Sequence, residues 1–341
     1  MTPLLEVRDL RTQFRTDDGL LQAVDGVSFS VEPGQVLGIV GESGCGKSVT
    51  CLTIMGLNEK RGTTSTGEVL FRGEDLLKAS PKRLRAIRGD EIAMIFQDPM
   101  TSLNPVHKVG TQLMEAVSLH RDVSRKEARA RALELLEAVR IPRADRRIDD
   151  YPHQFSGGMR QRVMIAMALI NSPDVLIADE PTTALDVTTQ AQILDLLKQL
   201  QKDFGTAIIM ITHDLGVVAE TCDDVVVMYS AKVVEHAPVD EIFERPQHPY
   251  TWGLMGSLPR LDIVVDRLQQ IPGQPPSLLN PPSGCRFHPR CPYTMTVCKQ
   301  TQPALAGVPG DVFHEQACHL DQTTKDREAA KLLAAVAGVP A

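Results

Sequence analysis

The residues that could most readily carry out chemistry form a glycine-rich stretch near the N-terminus. Its letters, GESGCGKS, fit the pattern G-x-x-x-x-G-K-[ST]. Glycines let the backbone curl so that its N–H groups point at phosphate oxygens, while Lys47 can reach the outer phosphates and the Ser48 hydroxyl can bind Mg²⁺. A glycine turn with an exposed lysine is the alternative. The pattern predicts a nucleoside-triphosphate site made of Gly41, Glu42, Ser43, Gly44, Cys45, Gly46, Lys47 and Ser48.

Two adjacent carboxylates follow an apolar run later in the chain. Val175–Ala178 has the composition of a buried strand, and Asp179 and Glu180 come directly after it. At the carboxyl end of such a strand, Asp179 can hold Mg²⁺ through water, and Glu180 can orient and deprotonate an attacking water. A solvated turn is the alternative. Together with the glycine-rich stretch, these carboxylates predict nucleotide hydrolysis.

A serine and two glycines, Ser156, Gly157 and Gly158, come directly before a helix-like run, Arg162–Ile170. A hydroxyl, exposed backbone N–H groups and the positive end of a helix dipole can together bind an anion. The alternative is an ordinary helix N-cap. The position of this segment ahead of the Asp179 strand favours a second phosphate-binding site.

Four cysteines are concentrated near the C-terminus, at Cys285, Cys291, Cys298 and Cys318. Their spacing lacks the close cysteine pairs that are typical of structural zinc sites. Four thiolates are the usual donors of an iron–sulfur cluster, and Pro292 after Cys291 matches a Cys-Pro pair seen in some of these sites. Zinc remains open, as do plain thiols. The histidines that could help zinc are His288, His314 and His319.

Short apolar runs alternate with helical patterns, which is typical of an α/β fold. Ser124 and Glu127 form a capping box before one helix, and Gln190–Leu200 has a helical period. The predicted strands are Val36–Val40, Glu91–Phe96, Val175–Ala178, Ala207–Thr212 and Val225–Met228.

Length and composition limit the function classes. The 341 residues are 43% hydrophobic and 23% charged, which indicates about two domains. A net charge of −7 argues against broad binding to nucleic acid or anionic lipid. We expect no membrane span, no secretion signal and reduced thiols, hence a cytosolic location. Ile271–Pro282 is rich in proline and should lack regular structure. We predict a nucleotide-binding domain over residues 1–240 and an extension over residues 241–341.

The ordered motifs resemble those of the ATP-binding cassette (ABC) ATPases over roughly residues 4–240. These motifs are the phosphate loop, Gln97, the Ser156 segment, Asp179 with Glu180, Thr183–Asp186 and His213. The resemblance implies a P-loop NTPase fold with a RecA-like core, an antiparallel β subdomain, an inserted helical subdomain at about 98–165 and a small irregular C-terminal extension. It also implies that two such domains stack head to tail, with ATP and Mg²⁺ bound between them.

The resemblance assigns further roles. Ser156, Gly157 and Gly158 would contact the ATP of the partner domain, and Asp186 would lie at the dimer seam. Gln97 would sense Mg²⁺. The ligands of the ion would be Ser48, Gln97 and Asp179. His213 would bind the γ-phosphate and the attacking water, and Phe14 would stack on adenine. From the residues alone, Gln97 could be a strand-end amide, Asp186 a helix N-cap, His213 a structural polar residue and Phe14 a core aromatic.

Further motifs resemble the dipeptide, oligopeptide and nickel importer branch, and within it the D-type ATP-binding subunits of dipeptide importers. They are Phe96–Pro105, Tyr151–Gln154, Ala178–Asp186 and His248–Thr251. That branch implies a [4Fe-4S] cluster on Cys285, Cys291, Cys298 and Cys318. It also implies as partners a related F-type ATPase subunit, two membrane permeases and an external peptide-binding protein, with no nucleic acid.

The resemblance predicts the ATPase subunit of a bacterial dipeptide or oligopeptide importer on the cytoplasmic face of the inner membrane. Nickel or glutathione import remains an alternative for the same ATPase. The alternative from another class is a soluble ABC ATPase that does not serve transport. The sequence lacks the long insertions or tandem cassettes that are common in that class.

Overall fold

The computed structural model describes residues 3–59, 61–97, 102–183, 185–257 and 271–337. The strands are β1 (Leu5–Thr16), β2 (Gly19–Val31), β3 (Val36–Val40), β4 (Thr63–Phe71), β5 (Glu74–Asp75), β6 (Ile92–Ile95), β7 (Val175–Asp179), β8 (Ala207–Thr212), β9 (Asp224–Tyr229), β10 (Lys232–Pro238), β11 (Ala306–Val308) and β12 (Asp311–Gln316). The α-helices are α1 (Lys47–Ile54), α2 (Pro81–Ile87), α3 (Val109–Ser118), α4 (Arg125–Ala138), α5 (Ala144–Arg147), α6 (Gly157–Leu169), α7 (Val187–Phe204), α8 (Leu215–Thr221), α9 (Val239–Glu244), α10 (Pro249–Gly256), α11 (Thr296–Gln300) and α12 (Gln322–Ala337).

One compact unit consists of Val31–Val36 and Lys78–Ile211. In it, β6, β7 and β8 run parallel, and β7 is buried along its whole length. Helices cover both faces of a parallel sheet, so its central strands are largely apolar, as the four residues VLIA before Asp179 show. The capping box at Ser124 and Glu127 is present and starts α4. The predicted helical subdomain, about 98–165, falls in this unit; its residues 98–101 lie outside the described residues.

The second compact unit consists of Pro3–Ser30, Leu37–Leu77 and the chain from Thr212 onward. It holds an antiparallel sheet of order β2-β1-β4-β5. It also holds β3 parallel to β9, with β10, β12 and β11 added antiparallel. The residues that follow the predicted boundary near 240 thus share a compact unit with the phosphate loop. The boundary itself stays a prediction.

The predicted strands and helices are found with small shifts. β3 and β8 have the predicted bounds, and β6 and β9 differ from them by one residue at each end. Helix α7 begins at Val187 and not at Gln190, because Asp186 caps it while Val187 is 84% exposed and adds nothing to the apolar period. The proline-rich stretch 271–282 has no helix or strand, as predicted. Among the described helices, none has the length and apolar character needed to cross a membrane.

Candidate active site

The glycine-rich stretch connects the buried strand β3 to the helix α1, which is the context that a phosphate-binding loop requires. Lys47 is the first residue of α1 and is only 5% exposed. Its Nζ donates hydrogen bonds to the carbonyls of Gly41 (2.6 Å) and Glu42 (3.1 Å). A buried ammonium group needs such partners, and the same group can turn to phosphate oxygens when they arrive.

Gly46 is the residue of this loop whose backbone most clearly excludes a side chain. Its φ of 105° lies in a region that L-residues rarely adopt, and it is the N-cap of α1. A Cβ at this position would lie 2.2 Å from the carbonyl oxygen of Ala23. The glycine therefore permits both the turn and the close approach of the two backbone segments.

Cys45 occupies the loop position before Gly46 and is buried, with 5% exposure. Its Sγ lies 3.9 Å from Nζ of Lys47. Burial raises the pKa of the Cys45 thiol, although the nearby ammonium group acts in the opposite direction. The thiol is therefore in its neutral form at neutral pH.

The two carboxylates at the end of β7, those of Asp179 and Glu180, have different surroundings. Asp179 is the last residue of β7 and is 6% exposed. Glu180 follows with a φ of 47°, and its N–H donates to the carbonyl of Ile211 (3.0 Å). Its Oε2 accepts hydrogen bonds from Nε2 of Gln97 (3.0 Å) and Oγ1 of Thr183 (2.8 Å). The structure thus brings Gln97 and Glu180 together, and Thr183, for which no contact was predicted, joins them.

Ser156 is the N-cap of α6, and its hydroxyl accepts a hydrogen bond from the Met159 N–H (3.4 Å). Ser156 and Gly157 are exposed. All three residues of the Ser156 segment line one open cleft of about 480 Å³. The lining of this signature cleft consists of Arg140, Pro142, Ser156, Gly157, Gly158, Met159, Arg162, Leu185, Asp186, Thr189 and Gln192.

Two arginines, Arg140 and Arg162, give the signature cleft a positive character. Arg162 lies in α6 and donates to the carbonyl of Val139 (3.1 Å). Burial and the charge of Arg140 both lower the pKa of Arg162, which keeps its charge at neutral pH. A cleft with backbone N–H groups at a helix start and two guanidinium groups is suited to an anion.

Asp186, His213 and Phe14 are the other residues that were predicted to act at ATP. Asp186 is the N-cap of α7 and accepts from Thr189 N (3.0 Å) and Oγ1 (2.7 Å), and these hydrogen bonds lower its pKa. His213 is exposed directly after β8. Phe14 lies half-buried in β1, opposite Thr63 of β4. The helix-cap alternative for Asp186 is therefore confirmed, whereas the roles at ATP stay predictions for all three residues.

The four C-terminal cysteines are close enough to influence one another. The N–H of Cys285 donates to the carbonyl of Cys298 (2.8 Å). Burial first, and then the neighbouring thiols, raise the pKa of Cys285 to about 11 and that of Cys291 to about 12. Cys318 also lies near Cys298, and burial raises its pKa. Such thiols favour the protonated form unless a cation joins them.

The phosphate loop has two contacts that the sequence did not predict. The N–H of Glu42 donates to the Tyr250 hydroxyl (2.8 Å). The Glu42 carboxylate accepts two hydrogen bonds from Arg290, at 2.6 and 3.0 Å. These partners are 208 and 248 residues away along the chain, so no local pattern could reveal them.

Comparison with known families and proteins decides the family. The ABC transporter family matches residues 24–183, and the family described as the oligopeptide/dipeptide transporter C-terminal region matches residues 234–298. A probable peptide ABC transporter ATP-binding protein (y4tR) of Sinorhizobium fredii is 56% identical over 92% of this chain and 94% of its own length. This chain belongs to the ATP-binding proteins of ABC transporters. As a member of that family, it is an ABC-type ATPase.

Other relatives and solved structures agree with the assignment. The oligopeptide transport ATP-binding protein OppD of Escherichia coli is 52% identical over 90% of this chain and 91% of its own length. The dimeric ATP-binding cassette MJ0796, solved with ADP and phosphate, has a TM-score of 0.62 and 28% identity and covers 69% of this chain and 98% of its own. The cbiO1 structure from Clostridium perfringens has a TM-score of 0.60 and 30% identity and covers 71% of this chain and 91% of its own. The predicted P-loop NTPase fold of the ABC ATPase type is confirmed.

Proposed function

We propose that this chain is the ATP-hydrolysing subunit of a bacterial importer of dipeptides or oligopeptides. The peptide-transport names of its relatives and the match of its C-terminal region to the oligopeptide/dipeptide family support the substrate class. The observation that carries the catalytic part is Glu180, whose carboxylate is fixed by Gln97 and Thr183 beside the buried Asp179.

In this proposal the phosphate loop binds ATP through its backbone N–H groups and Lys47, and Phe14 stacks on the adenine. The Ser48 hydroxyl, Gln97 and Asp179 are the proposed Mg²⁺ ligands. All three offer oxygen donors, which Mg²⁺ prefers, so these residue types fit the ion. When bound, Mg²⁺ neutralises charge that develops on the phosphates.

Glu180 is the proposed general base. One of its carboxylate oxygens accepts the hydrogen bonds from Gln97 and Thr183, which orients the carboxylate for accepting a proton from water. His213 is proposed to donate a hydrogen bond to the γ-phosphate. The attacking water then displaces ADP in line, and Lys47 balances the charge that accumulates on the phosphate oxygens.

We propose that a second ATPase subunit completes the site. The signature cleft is open, so a partner subunit can reach it. Ser156, Gly157 and Gly158 would contact the ATP held by that partner, and Asp186 would lie at the seam between the subunits. The exposure of Ser156 and Gly157 and the dimeric form of the similar cassette MJ0796 support this arrangement. We propose a heterodimer with a related F-type subunit.

The proposed contact with the permeases is an apolar cleft of about 290 Å³ near Gln97. It is large enough to take the side chains of a short helix, and its rim carries Phe96 (40% exposed) and Leu119 (72% exposed). One of the two membrane permeases would insert a short helix here, and we therefore propose that the chain lies at the cytoplasmic face of the inner membrane. An external peptide-binding protein would act through the permeases, with no nucleic acid involved.

The four cysteines are proposed to hold a [4Fe-4S] cluster. Among the described residues, one group of three His, Cys, Asp or Glu side chains has all its ligand atoms within 4.8 Å of one another, namely Glu241, Asp311 and His314, and it contains none of the four cysteines. The candidate zinc histidines have other partners: His288 contacts Cys285 O, His314 contacts Glu235 and His319 contacts Thr301 O. The buried Lys325, whose Nζ lies 3.5 Å from Cys318 O, supplies positive charge for an anionic cluster.

The test of the catalytic proposal is Glu180→Gln in the complete transporter. We expect turnover to fall at least about hundredfold, since a general base contributes that much, while ATP binding and closure of the ATPase dimer survive. Glu134→Gln, an exposed pair with Arg131 in α4, is the matched control and should hydrolyse normally. Near-normal hydrolysis by Glu180→Gln would refute the assignment.

The substrate and the cluster have separate tests. Stimulation of ATP hydrolysis by a binding protein loaded with dipeptide or oligopeptide supports peptide import, whereas stimulation by nickel or glutathione alone would replace it. For the cluster, protein purified without oxygen should contain iron and sulfide and absorb visible light. Colourless protein without iron would contradict the cluster.

A further inference from the structure

Glu42, the second residue of the phosphate loop, is bound by two side chains from the C-terminal extension. Its backbone N–H donates to the Tyr250 hydroxyl (2.8 Å), and its carboxylate forms a two-pronged ion pair with Arg290 (2.6 and 3.0 Å). One contact fixes the main chain of the loop and the other fixes the side chain. Neither Tyr250 nor Arg290 belongs to the nucleotide-binding motifs.

Arg290 is itself held in one position. Its side chain is only 5% exposed. Its Nε donates to the carbonyl of Pro272 (2.9 Å), and its guanidinium carbon lies 5.8 Å from the ring centre of Tyr229. A two-pronged pair between a fixed guanidinium and a carboxylate is among the stronger polar contacts in proteins, because little side-chain freedom is lost when it forms.

Tyr250 is equally constrained. It is fully buried in α10, and its ring lies against Tyr229 (centres 4.7 Å apart) and Phe287 (5.5 Å). Phe287 lies between Cys285 and Cys291 in the sequence, and its carbonyl accepts the Arg290 N–H (2.9 Å). The two contacts on Glu42 therefore come from one packed aromatic cluster.

A second arginine of the segment Cys285–Cys291, Arg286, binds a residue near the other end of the phosphate loop. Arg286 is ion-paired with the buried Asp25 (2.5 Å), which also binds Lys232 (2.8 Å). Asp25 lies two residues after Ala23, whose carbonyl packs against Gly46. The segment Cys285–Cys291 thus contacts the neighbourhood of the loop at both ends, through Arg286 and Arg290.

We propose that the segment Cys285–Cys291 positions the phosphate loop, with Arg290 and Tyr250 as positioning residues for ATP binding. The inference rests on the proposed role of the phosphate loop. Arg286 directly follows Cys285 and Arg290 directly precedes Cys291, so both arginines lie next to cysteines of this segment. The C-terminal extension thereby influences ATP affinity from outside the nucleotide site.

The experiment measures ATP binding by the full chain carrying Arg290→Gln. We expect the Kd for ATP to rise about tenfold, because a charge-assisted pair that orders the loop is lost. Arg290→Lys should fall between this variant and the original, since lysine keeps the charge but cannot bind both carboxylate oxygens. The matched control is Arg245→Gln, which removes an exposed pair with Glu241 and Asp311 and should leave the Kd unchanged.

Glu42→Gln removes the same ion pair by changing the residue in the phosphate loop. It allows the positioning role to be tested if Arg290→Gln folds poorly. If the two residues act through each other, the double variant should bind ATP no more weakly than the poorer single variant. In the complete transporter, the KM of Arg290→Gln for ATP should rise while its kcat at saturating ATP is retained.

The outcomes separate this inference from the proposed function. Unchanged affinity in Arg290→Gln and Glu42→Gln, fully additive effects, or a loss confined to kcat would overturn the positioning role. Unchanged ATP binding in Lys47→Ala would instead overturn the nucleotide site itself. If Lys47→Ala abolishes binding while the Glu42 and Arg290 variants bind normally, only the positioning role fails.

Discussion

The phosphate loop and the Ser156 segment are both glycine-containing starts of helices, yet their surroundings differ. In the loop, Lys47 is 5% exposed, its ammonium group is bound to loop carbonyls, and Glu42 is held by Tyr250 and Arg290. In the Ser156 segment, the serine and Gly157 are exposed, and they line an open cleft of about 480 Å³. Interactions within the chain hold the first anion site in place, whereas the second is open on one side. This difference is expected if the second site completes the ATP site of a partner.

The largest expected contrast comes from adding one methyl group at each site. Gly46→Ala places a Cβ 2.2 Å from the Ala23 carbonyl at a φ of 105°, so we expect a loss of at least about 2 kcal/mol in unfolding free energy and the loss of ATP binding. Gly157→Ala is the matched variant, because no described atom lies within 4 Å of a Cβ there. It should fold normally.

Urea unfolding and ATP titration of both variants check this prediction. Gly157→Ala should bind ATP as the original chain does and lose activity only in the assembled dimer, where the methyl group meets the partner. Equal stability of the two variants would mean that the phosphate loop is no more constrained than the Ser156 segment, and the comparison would then fail.

The second contrast concerns acid stability. His248 caps α10 by accepting the Tyr250 N–H (3.0 Å), and burial lowers its pKa from 6.5 to about 3. The unfolded chain therefore binds more protons between these values, so His248 destabilises the fold progressively as the pH falls from about 6.5 toward 3, by an amount on the order of a few kcal/mol. Because this helix carries Tyr250, acid should weaken ATP binding by loosening the loop.

His248→Asn keeps a capping acceptor and removes the titration, so its unfolding free energy should depend less on pH in this range. His153→Asn, at an exposed position shortly before Ser156, is the control and should keep the original slope. The measurement is urea unfolding at a series of pH values. Parallel curves for all three proteins would show that buried His248 does not set the acid limit.

The motifs can be recognised in the sequence because they are local. A strand, a glycine turn and a helix start are encoded within a few residues, so the bounds of β3 and β8 were correct and Ser156 lies at the start of a helix as expected. The pairing of Glu42 with Arg290 depends on the tertiary fold. Arginine and glutamate are common at surfaces, and no local pattern in either segment predicts that these two side chains pair.

The smallest effect separates the anion-binding role of Ser156 from its capping role. Ser156→Ala removes the acceptor for the Met159 N–H and should cost about 1 kcal/mol of stability. Ser124→Ala removes an equivalent cap at the start of α4, where Ser124 accepts from the Glu127 N–H, and serves as the control.

Both variants should bind ATP normally as single chains, because neither serine belongs to the phosphate loop. In the assembled transporter, we expect hydrolysis to fall about tenfold for Ser156→Ala and to stay unchanged for Ser124→Ala, since loss of one hydrogen bond to a charged phosphate has that effect. If both variants hydrolyse ATP equally well, Ser156 is only a helix cap, and the openness of its cleft has a cause other than a partner's ATP.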